Sequence, residues 1–212
     1  MPLRDHFRPP LDNMRHWEGF LAGWPVMMVA LLHRKLPRYF FAEPWVRLAS
    51  TRSPWPTASV ITGLPSQGVY EVRVYDEKCH CRLVAAVEIV SPANKDRPEY
   101  RRAFTAKCAG LLRERASVVI VDVVTTRTPN LYGELLELIG RSDPSLSPEP
   151  LLYATACRMM KRADEWVLET WAQPLNLGKP LPTMPLWLAD NLAVPLELEE
   201  SYEQSCAILN IP

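Results

Sequence analysis

The order of the apolar patterns predicts an α/β (α+β) fold in which helices flank one mixed sheet. Apolar residues recur at helical spacing between Trp17 and Leu32. The stretch "YEVRVYD" (70–76) alternates strictly between apolar and polar side chains, as a half-buried strand does. The stretch "SVVIVDVV" (117–124) is apolar almost throughout, which is typical of a strand covered on both faces. A helix, strands, a further helix and a buried strand in this order favour one layered sandwich.

The turn and capping residues divide the chain into elements. The first part of the chain predicts a helix from Trp17 to before Pro37, an extended segment at 39–49 and a hairpin formed by "YEVRVYD" and "RLVAAVEIV". A helix from Pro98 to about Glu114, the strand at 117–124 and a helix capped by Asn130 and ending at Gly140 follow. The last elements are two strands at 151–158 and 165–175 and a helix near Glu199. The stretch from Pro174 to Pro195 holds five prolines and no evident periodicity.

The length predicts one domain over residues 1–212, with a core at about 14–140 and a C-terminal extension at about 141–212 that carries strands and proline-rich segments. The first ten residues do not look like a signal peptide, and the odd number of cysteines indicates reduced thiols, so we expect a cytoplasmic protein. The longest apolar run, Phe20–Leu32, is shorter than the roughly 20 residues that cross a bilayer, so no membrane association is expected.

The charges cancel over the whole chain but not along it. Formal net charge is zero, which argues against a protein that coats nucleic acid along its whole surface. Residues 1–128 carry an excess of Lys and Arg, whereas residues 129–212 carry an excess of Asp and Glu. This asymmetry predicts either an anionic ligand at the basic part or attraction between the two parts.

Two lone carboxylates stand inside apolar strands. Glu88 interrupts "LVAAVEIV", and Asp122 interrupts "VIVDVV". A buried carboxylate is costly unless a cation or hydrogen bonds pair with it, so each of these two acids needs a partner. For Glu88 the candidates are the basic residues of the next helix, Arg101, Arg102 and Lys107, or a metal ion. Asp122 either lies beside Glu88 in a neighbouring strand or caps the turn that follows.

Four stretches together resemble a known bacterial family. They are "VEIVSPANK", the helix that carries Tyr100 and Lys107, "VVIVDVV", and the late "PLPTMPLWLADNLAVPLELEESY". In this order they resemble the domain of unknown function 4058, which is related to the Uma group and to the PD-(D/E)XK nuclease-like fold. The resemblance covers most of the chain from Trp17 onward and implies a restriction-endonuclease-like sheet.

The resemblance also implies a site. In such nucleases an Asp on one strand and a Glu on the next hold Mg²⁺, and a lysine two residues after that Glu positions the attacking water. Glu88 matches the strand Glu, but Val90 stands where the lysine is expected, so Lys107 and Lys95 are the substitutes. No acidic residue lies between Glu43 and Glu71, so Glu71 and Asp122 are the candidates for the second metal ligand, and a one-residue register slip would turn Glu71 away.

The helix after the hairpin and the hairpin turn carry further polar groups. Arg97, Arg101 and Arg102 are candidate phosphate-binding residues, although an ordinary solvated helix face explains them as well. The turn sequence "KCHC" has cysteines too closely spaced for a zinc site, so exposed thiols are expected there and buried ones at the other three cysteines.

The sequence thus supports two main hypotheses and a third. The first is a restriction-endonuclease-like protein with a degenerate metal site that serves as a non-catalytic module for nucleic-acid or protein interaction. The alternative is a weak Mg²⁺-dependent phosphodiesterase or nuclease, acting on DNA, that uses Glu88 and Lys107. A homodimer without a ligand is the third. A second carboxylate within reach of Glu88 would favour the enzyme.

Overall fold

The computed structural model describes residues 2–47, 69–140 and 150–212. A six-stranded mixed sheet is the centre of the fold, with the strands in the order β1-β2-β3-β4-β5-β6. Helices cover both faces of this sheet, and a separate two-stranded hairpin packs on one of them. The predicted α+β class with a mixed sheet flanked by helices is confirmed.

The elements of the described residues run along the chain as follows: α1 (Leu11–Met14), α2 (Trp17–Leu32), β1 (Phe40–Arg47), β2 (Val69–Asp76), β3 (Arg82–Ile89), α3 (Pro92–Asp96), α4 (Pro98–Arg113), β4 (Ser117–Asp122), α5 (Leu131–Leu138), β5 (Tyr153–Arg162), β6 (Glu165–Pro174), β7 (Thr183–Ala189), β8 (Leu192–Glu197) and α6 (Leu198–Ile208).

Strand pairing sets the topology. Neighbouring strands of the sheet are antiparallel except β3 and β4, which are parallel and are joined by the crossover through α3 and α4. A parallel pair needs such a crossover because its second strand must start at the same end of the sheet as the first. The strands β5 and β6, at the start of the predicted C-terminal extension, continue the same sheet beyond β4.

Each face of the sheet has its own apolar cluster. One face packs against α2, α6 and the β7–β8 hairpin, where Trp24 is fully buried and its indole Nε1 donates to Ser201 Oγ at 3.0 Å. The other face packs against α4 and α5 through Phe104, Cys108, Leu112 and Leu135. Because side chains alternate along a strand, Val87 and Ile89 point to the first face and Glu88 and Val90 to the second.

The β7–β8 hairpin was not predicted, because prolines usually demote a strand. Pro185 and Pro195 face each other in its register. Each proline lacks an N–H donor, but a two-stranded sheet has a free edge on both sides where no donor is needed. Val194 and Leu196 alternate into the core while the prolines point away.

Candidate functional site

The two acidic residues of the β2–β3 hairpin lie directly opposite each other. Glu71 on β2 and Glu88 on β3 are register partners, so their side chains project from the same face of the sheet. Both are almost fully buried, with 1% and 2% of their surface exposed. The register therefore selects the alternative in which Glu71 joins Glu88. Two carboxylates in this position repel each other unless a proton or a cation lies between them.

Lys107 supplies that cation. Its Nζ donates to Glu71 Oε2 at 2.8 Å and to Glu88 Oε2 at 2.5 Å. Helix α4 brings it there because Phe104 and Cys108 anchor the helix in the apolar cluster on this face. Of the three basic residues considered for Glu88, Lys107 is thus the partner. A third of the Lys107 side chain stays exposed, so the cluster is reached by solvent along this side chain.

Arg73 completes the arrangement on the other side of Glu71. Its Nε and Nη2 both approach Glu71 Oε1 at 2.5 Å, and its guanidinium lies 4.2 Å from the centre of the Trp45 ring. Glu71 and Arg73 are two residues apart on one strand, which places them on the same face. The sequence analysis did not single out Arg73, although the alternation in "YEVRVYD" already placed it beside Glu71.

We use the name carboxylate cluster for Glu71, Glu88, Lys107 and Arg73. Burial and the neighbouring Glu71 raise the pKa of Glu88 to about 8, against the opposing charge of Lys107. Burial also acts against ionisation of Glu71, but contact with Glu88 and the charges of Lys107 and Arg73 lower its pKa. The pair therefore holds a proton more readily than two separate carboxylates would, and Glu88 holds it in preference to Glu71. This is the usual outcome when two buried carboxylates share a site.

One oxygen of the carboxylate cluster has no partner. Glu88 Oε1 is buried and accepts no hydrogen bond within the described part of the chain. Together with Glu71 it forms a pair of hard oxygen ligands, which suits Mg²⁺. The described residues contain no group of three His, Cys, Asp or Glu side chains arranged to hold a metal. A metal here would thus take two protein ligands and complete its shell with water or phosphate oxygens, as Mg²⁺ commonly does.

Asp122 and Lys95 belong to a separate contact. Asp122 does lie on the strand next to Glu88, as expected, but its Oδ2 accepts from Lys95 Nζ at 2.8 Å, and both side chains are 0% exposed. Its other oxygen accepts from the Val124 N–H at 3.1 Å, so Asp122 also caps the following turn. Burial raises its pKa to about 6 in spite of the charge of Lys95. Each polar group here has a partner, which indicates a structural role.

The three candidate phosphate-binding arginines lie at the start of α4. Arg101 Nε donates to Glu134 Oε1 on α5 at 2.6 Å, so its charge is already engaged. Arg97 and Arg102 are exposed, and the Arg97 guanidinium lies 5.8 Å from the centre of the Tyr100 ring. Two of the three arginines are thus accessible to a ligand. They stand on the helix that also carries Lys107.

Aromatic side chains on the same face of the sheet adjoin the carboxylate cluster. Trp45 on β1 is the register partner of Glu71 and is 37% exposed. Four residues earlier on β1, Phe41 stacks on Tyr75 of β2 with ring centres 5.1 Å apart and an interplanar angle of 19°. We call Phe41, Trp45 and Tyr75 the aromatic strip. The aromatic strip was not predicted from the sequence, because its three rings come together only when β1 pairs with β2.

The hairpin turn and the cysteines behave as predicted. Cys79 and Cys81 are exposed at the β2–β3 turn, whereas Cys108, Cys157 and Cys206 are buried.

In the described ranges no helix combines the length and the apolar character that crossing a bilayer requires.

The chain matches no known family model, no curated protein and no solved structure.

Proposed function

We propose that the protein is a Mg²⁺-dependent phosphodiesterase that acts on nucleic acid through the carboxylate cluster. The observation that carries the proposal is the convergence of Glu71, Glu88 and Lys107 from β2, β3 and α4. One buried Glu88 oxygen has no partner among the described residues. The resemblance to PD-(D/E)XK proteins supports it, since two acids on neighbouring strands and a lysine are the groups that such nucleases use. A lysine that comes from α4 replaces the one absent at Val90.

The residues divide the chemistry among themselves. Mg²⁺, when bound, polarises the phosphodiester and lowers the pKa of a bound water. Glu71 and Glu88 would hold the ion, and Glu88 has to lose its proton first. Lys107, one-third exposed at the mouth, is placed to donate to a phosphate oxygen or to the attacking water. Arg73 fixes the orientation of Glu71 by its contacts at Oε1.

The surroundings favour a nucleic-acid substrate. Arg97 and Arg102 are exposed on the same helix as Lys107 and offer charges for neighbouring phosphates. The aromatic strip provides flat faces beside the cluster, on which unpaired bases can stack. A single-stranded or locally opened substrate fits this arrangement best.

The test starts with calorimetric titration of Mg²⁺ and Mn²⁺ into the wild type, Glu88→Gln and Glu99→Gln. We expect saturable binding to the wild type and to Glu99→Gln, which removes an exposed acid of α4, and at least a tenfold loss in Glu88→Gln. Cleavage of a labelled single-stranded oligonucleotide should require the metal and should fall with Lys107→Met. Absence of metal binding to the wild type would refute the proposal.

A second candidate is the non-catalytic interaction module. It is favoured by one observation: Lys107 and a proton on Glu88 already balance the two carboxylates without a metal. In that case the wild type binds the oligonucleotide without Mg²⁺ and never cleaves it. Oligonucleotide binding should then weaken in Arg97→Gln and Arg102→Gln, as it should for the enzyme. It should remain unchanged in Glu88→Gln, whereas the enzyme loses its metal binding in that variant.

A further inference from the structure

A cavity of about 390 Å³ lies at the other end of the sheet, where β3 begins. Its walls are Arg82 and Val84 of β3, Arg115 before β4, Met159 of β5 and residues 188–191 of the β7–β8 hairpin. A recess of about 30 Å³ continues inward to Ser117, Arg158 and Trp187. Arg82 and Glu88 are separated by six residues of β3, or about 20 Å at the rise of a strand, so this cavity is distinct from the carboxylate cluster.

Two arginines at the cavity form no ion pair with an acidic residue of the described ranges, although Asp76 is the register partner of Arg82 in the β2–β3 hairpin. Arg82 and Arg115 are exposed, and neither forms an ion pair with any carboxylate of the described residues. The Arg115 guanidinium also lies 4.9 Å from the centre of the Trp166 ring. Asp190 is the one acidic residue among those that line the cavity. The lining therefore has an excess of positive charge.

A third arginine is fixed in the recess. Arg158 donates through Nε to Glu169 Oε2 at 2.7 Å and through Nη1 to the Asp190 carbonyl oxygen at 2.9 Å. Its guanidinium lies over the Trp187 ring at 3.4 Å. Glu169 also contacts Arg162, so one carboxylate is shared by two guanidinium groups. Arg158 is therefore held in a fixed orientation at the recess.

Trp187, which lines the recess, has an indole donor without an acceptor among the described residues. The indole Nε1 of Trp187 is buried, and within the described part of the chain nothing accepts its hydrogen bond. The carbonyl oxygen of Trp187 is occupied, because Ser117 Oγ donates to it at 2.6 Å. Buried donors in native proteins are almost always satisfied by protein, water or ligand. A ligand oxygen that enters the recess would satisfy this one.

We propose that this cavity binds a small anion whose phosphate or carboxylate oxygens accept hydrogen bonds from Arg82 and Arg115. Guanidinium groups match both kinds of oxyanion through paired N–H donors. The volume lies at the lower end of the range for small-molecule sites, so the ligand is larger than a single phosphate ion and smaller than a macromolecule. This site is independent of the proposed phosphodiesterase activity.

Calorimetric titration of the full chain with inorganic phosphate, pyrophosphate and citrate, without divalent metal, tests the proposal. We expect saturable binding of at least one of these probes and at least a tenfold loss of affinity in the Arg82→Gln/Arg115→Gln double variant. Arg34→Gln removes an exposed arginine just after α2 and should bind as the wild type does. Arg115→Lys keeps the positive charge but lacks the paired N–H donors, so its affinity should lie between that of the wild type and that of the double variant.

The arms of the experiment separate the sources of the anion and the two sites. Binding of the two phosphates alone identifies a phosphorylated ligand, and binding of citrate alone identifies a carboxylate. Glu71→Gln should bind as the wild type does, because the carboxylate cluster takes no part. Both substituted arginines are exposed, so the melting temperature should stay near that of the wild type. Lack of saturable binding of every probe, or equal affinity in the double variant, overturns the proposal.

Discussion

Two lysine–carboxylate contacts lie on the same face of the central sheet and differ in their completeness. Lys95 and Asp122 are one cation and one acid, both fully enclosed, and the second oxygen of Asp122 is bonded to a backbone N–H. Lys107 faces two acids and remains one-third exposed, and Glu88 Oε1 has no partner within the described ranges. The first contact has no capacity for a ligand, whereas the second has both an opening and a spare oxygen.

Structural and functional ion pairs can be distinguished by comparing these two contacts. A lone carboxylate in an apolar strand looks the same in the sequence whichever role it has, as Glu88 and Asp122 do. What differs is the number of charges that meet and whether every polar atom is satisfied. The Lys95–Asp122 contact and the carboxylate cluster should therefore respond differently to substitution and to pH.

Removal of Lys95 should have the largest effect. Lys95→Met leaves Asp122 buried without its cation, and such losses typically reduce the free energy of unfolding by about 3–5 kcal/mol. Urea unfolding at pH 7 measures this change. The double variant Lys95→Met/Asp122→Leu should regain most of the loss, because no unpaired charge remains. A loss below about 1 kcal/mol in the single variant would contradict a structural role for this pair.

Removal of Lys107 should cost less. In Lys107→Met, Arg73 still contacts Glu71, and Glu88 is protonated at pH 7 because its pKa is about 8. We expect the free energy of unfolding to fall by about 1–2 kcal/mol, in the lower range for hydrogen bonds to charged groups. The same urea experiment measures it. The affinity for Mg²⁺ should be retained or increased in Lys107→Met, since a competing cation is gone. If the free energy of unfolding fell as much as in Lys95→Met, the two contacts would be equivalent in their contribution to stability.

The smallest effect concerns pH. Burial raises the pKa of Glu88 to about 8, so the folded state holds a proton that the unfolded state releases near pH 4.5. A group of this kind stabilises the fold at low pH, and its contribution is lost as the pH rises through the folded-state pKa. Between pH 7 and pH 9 the free energy of unfolding should fall by about 1 kcal/mol.

Glu88→Gln serves as the control for this pH dependence, because its side chain does not titrate. The fall between pH 7 and pH 9 should disappear in that variant. The matching window for Asp122 ends near its folded-state pKa of about 6, so that residue does not contribute above pH 7. An unchanged fall in Glu88→Gln would show that another group causes it.

Much of the fold follows from local patterns, and less of the site does. The strands β2, β3 and β4 and the helices α2, α4 and α5 were predicted because each has a clear period and a turn or cap at its end. The β7–β8 hairpin was missed, since Pro185 and Pro195 hide its alternation. The aromatic strip was also missed, because Phe41 and Tyr75 are far apart in the sequence and meet through the pairing of β1 with β2.

The apolar patterns around Glu88 and Asp122 were enough to predict that both acids are buried and need partners, because burying an unpaired charge is costly in any fold. The sequence also limited the partners of Glu88 to a few basic residues of α4 or a metal. Which lysine pairs with which acid depends on the tertiary structure. The register of β2 against β3 placed Glu71 beside Glu88, and a shift by one residue would have turned it to the opposite face. Register and helix packing depend on contacts between distant residues, so local patterns cannot specify them.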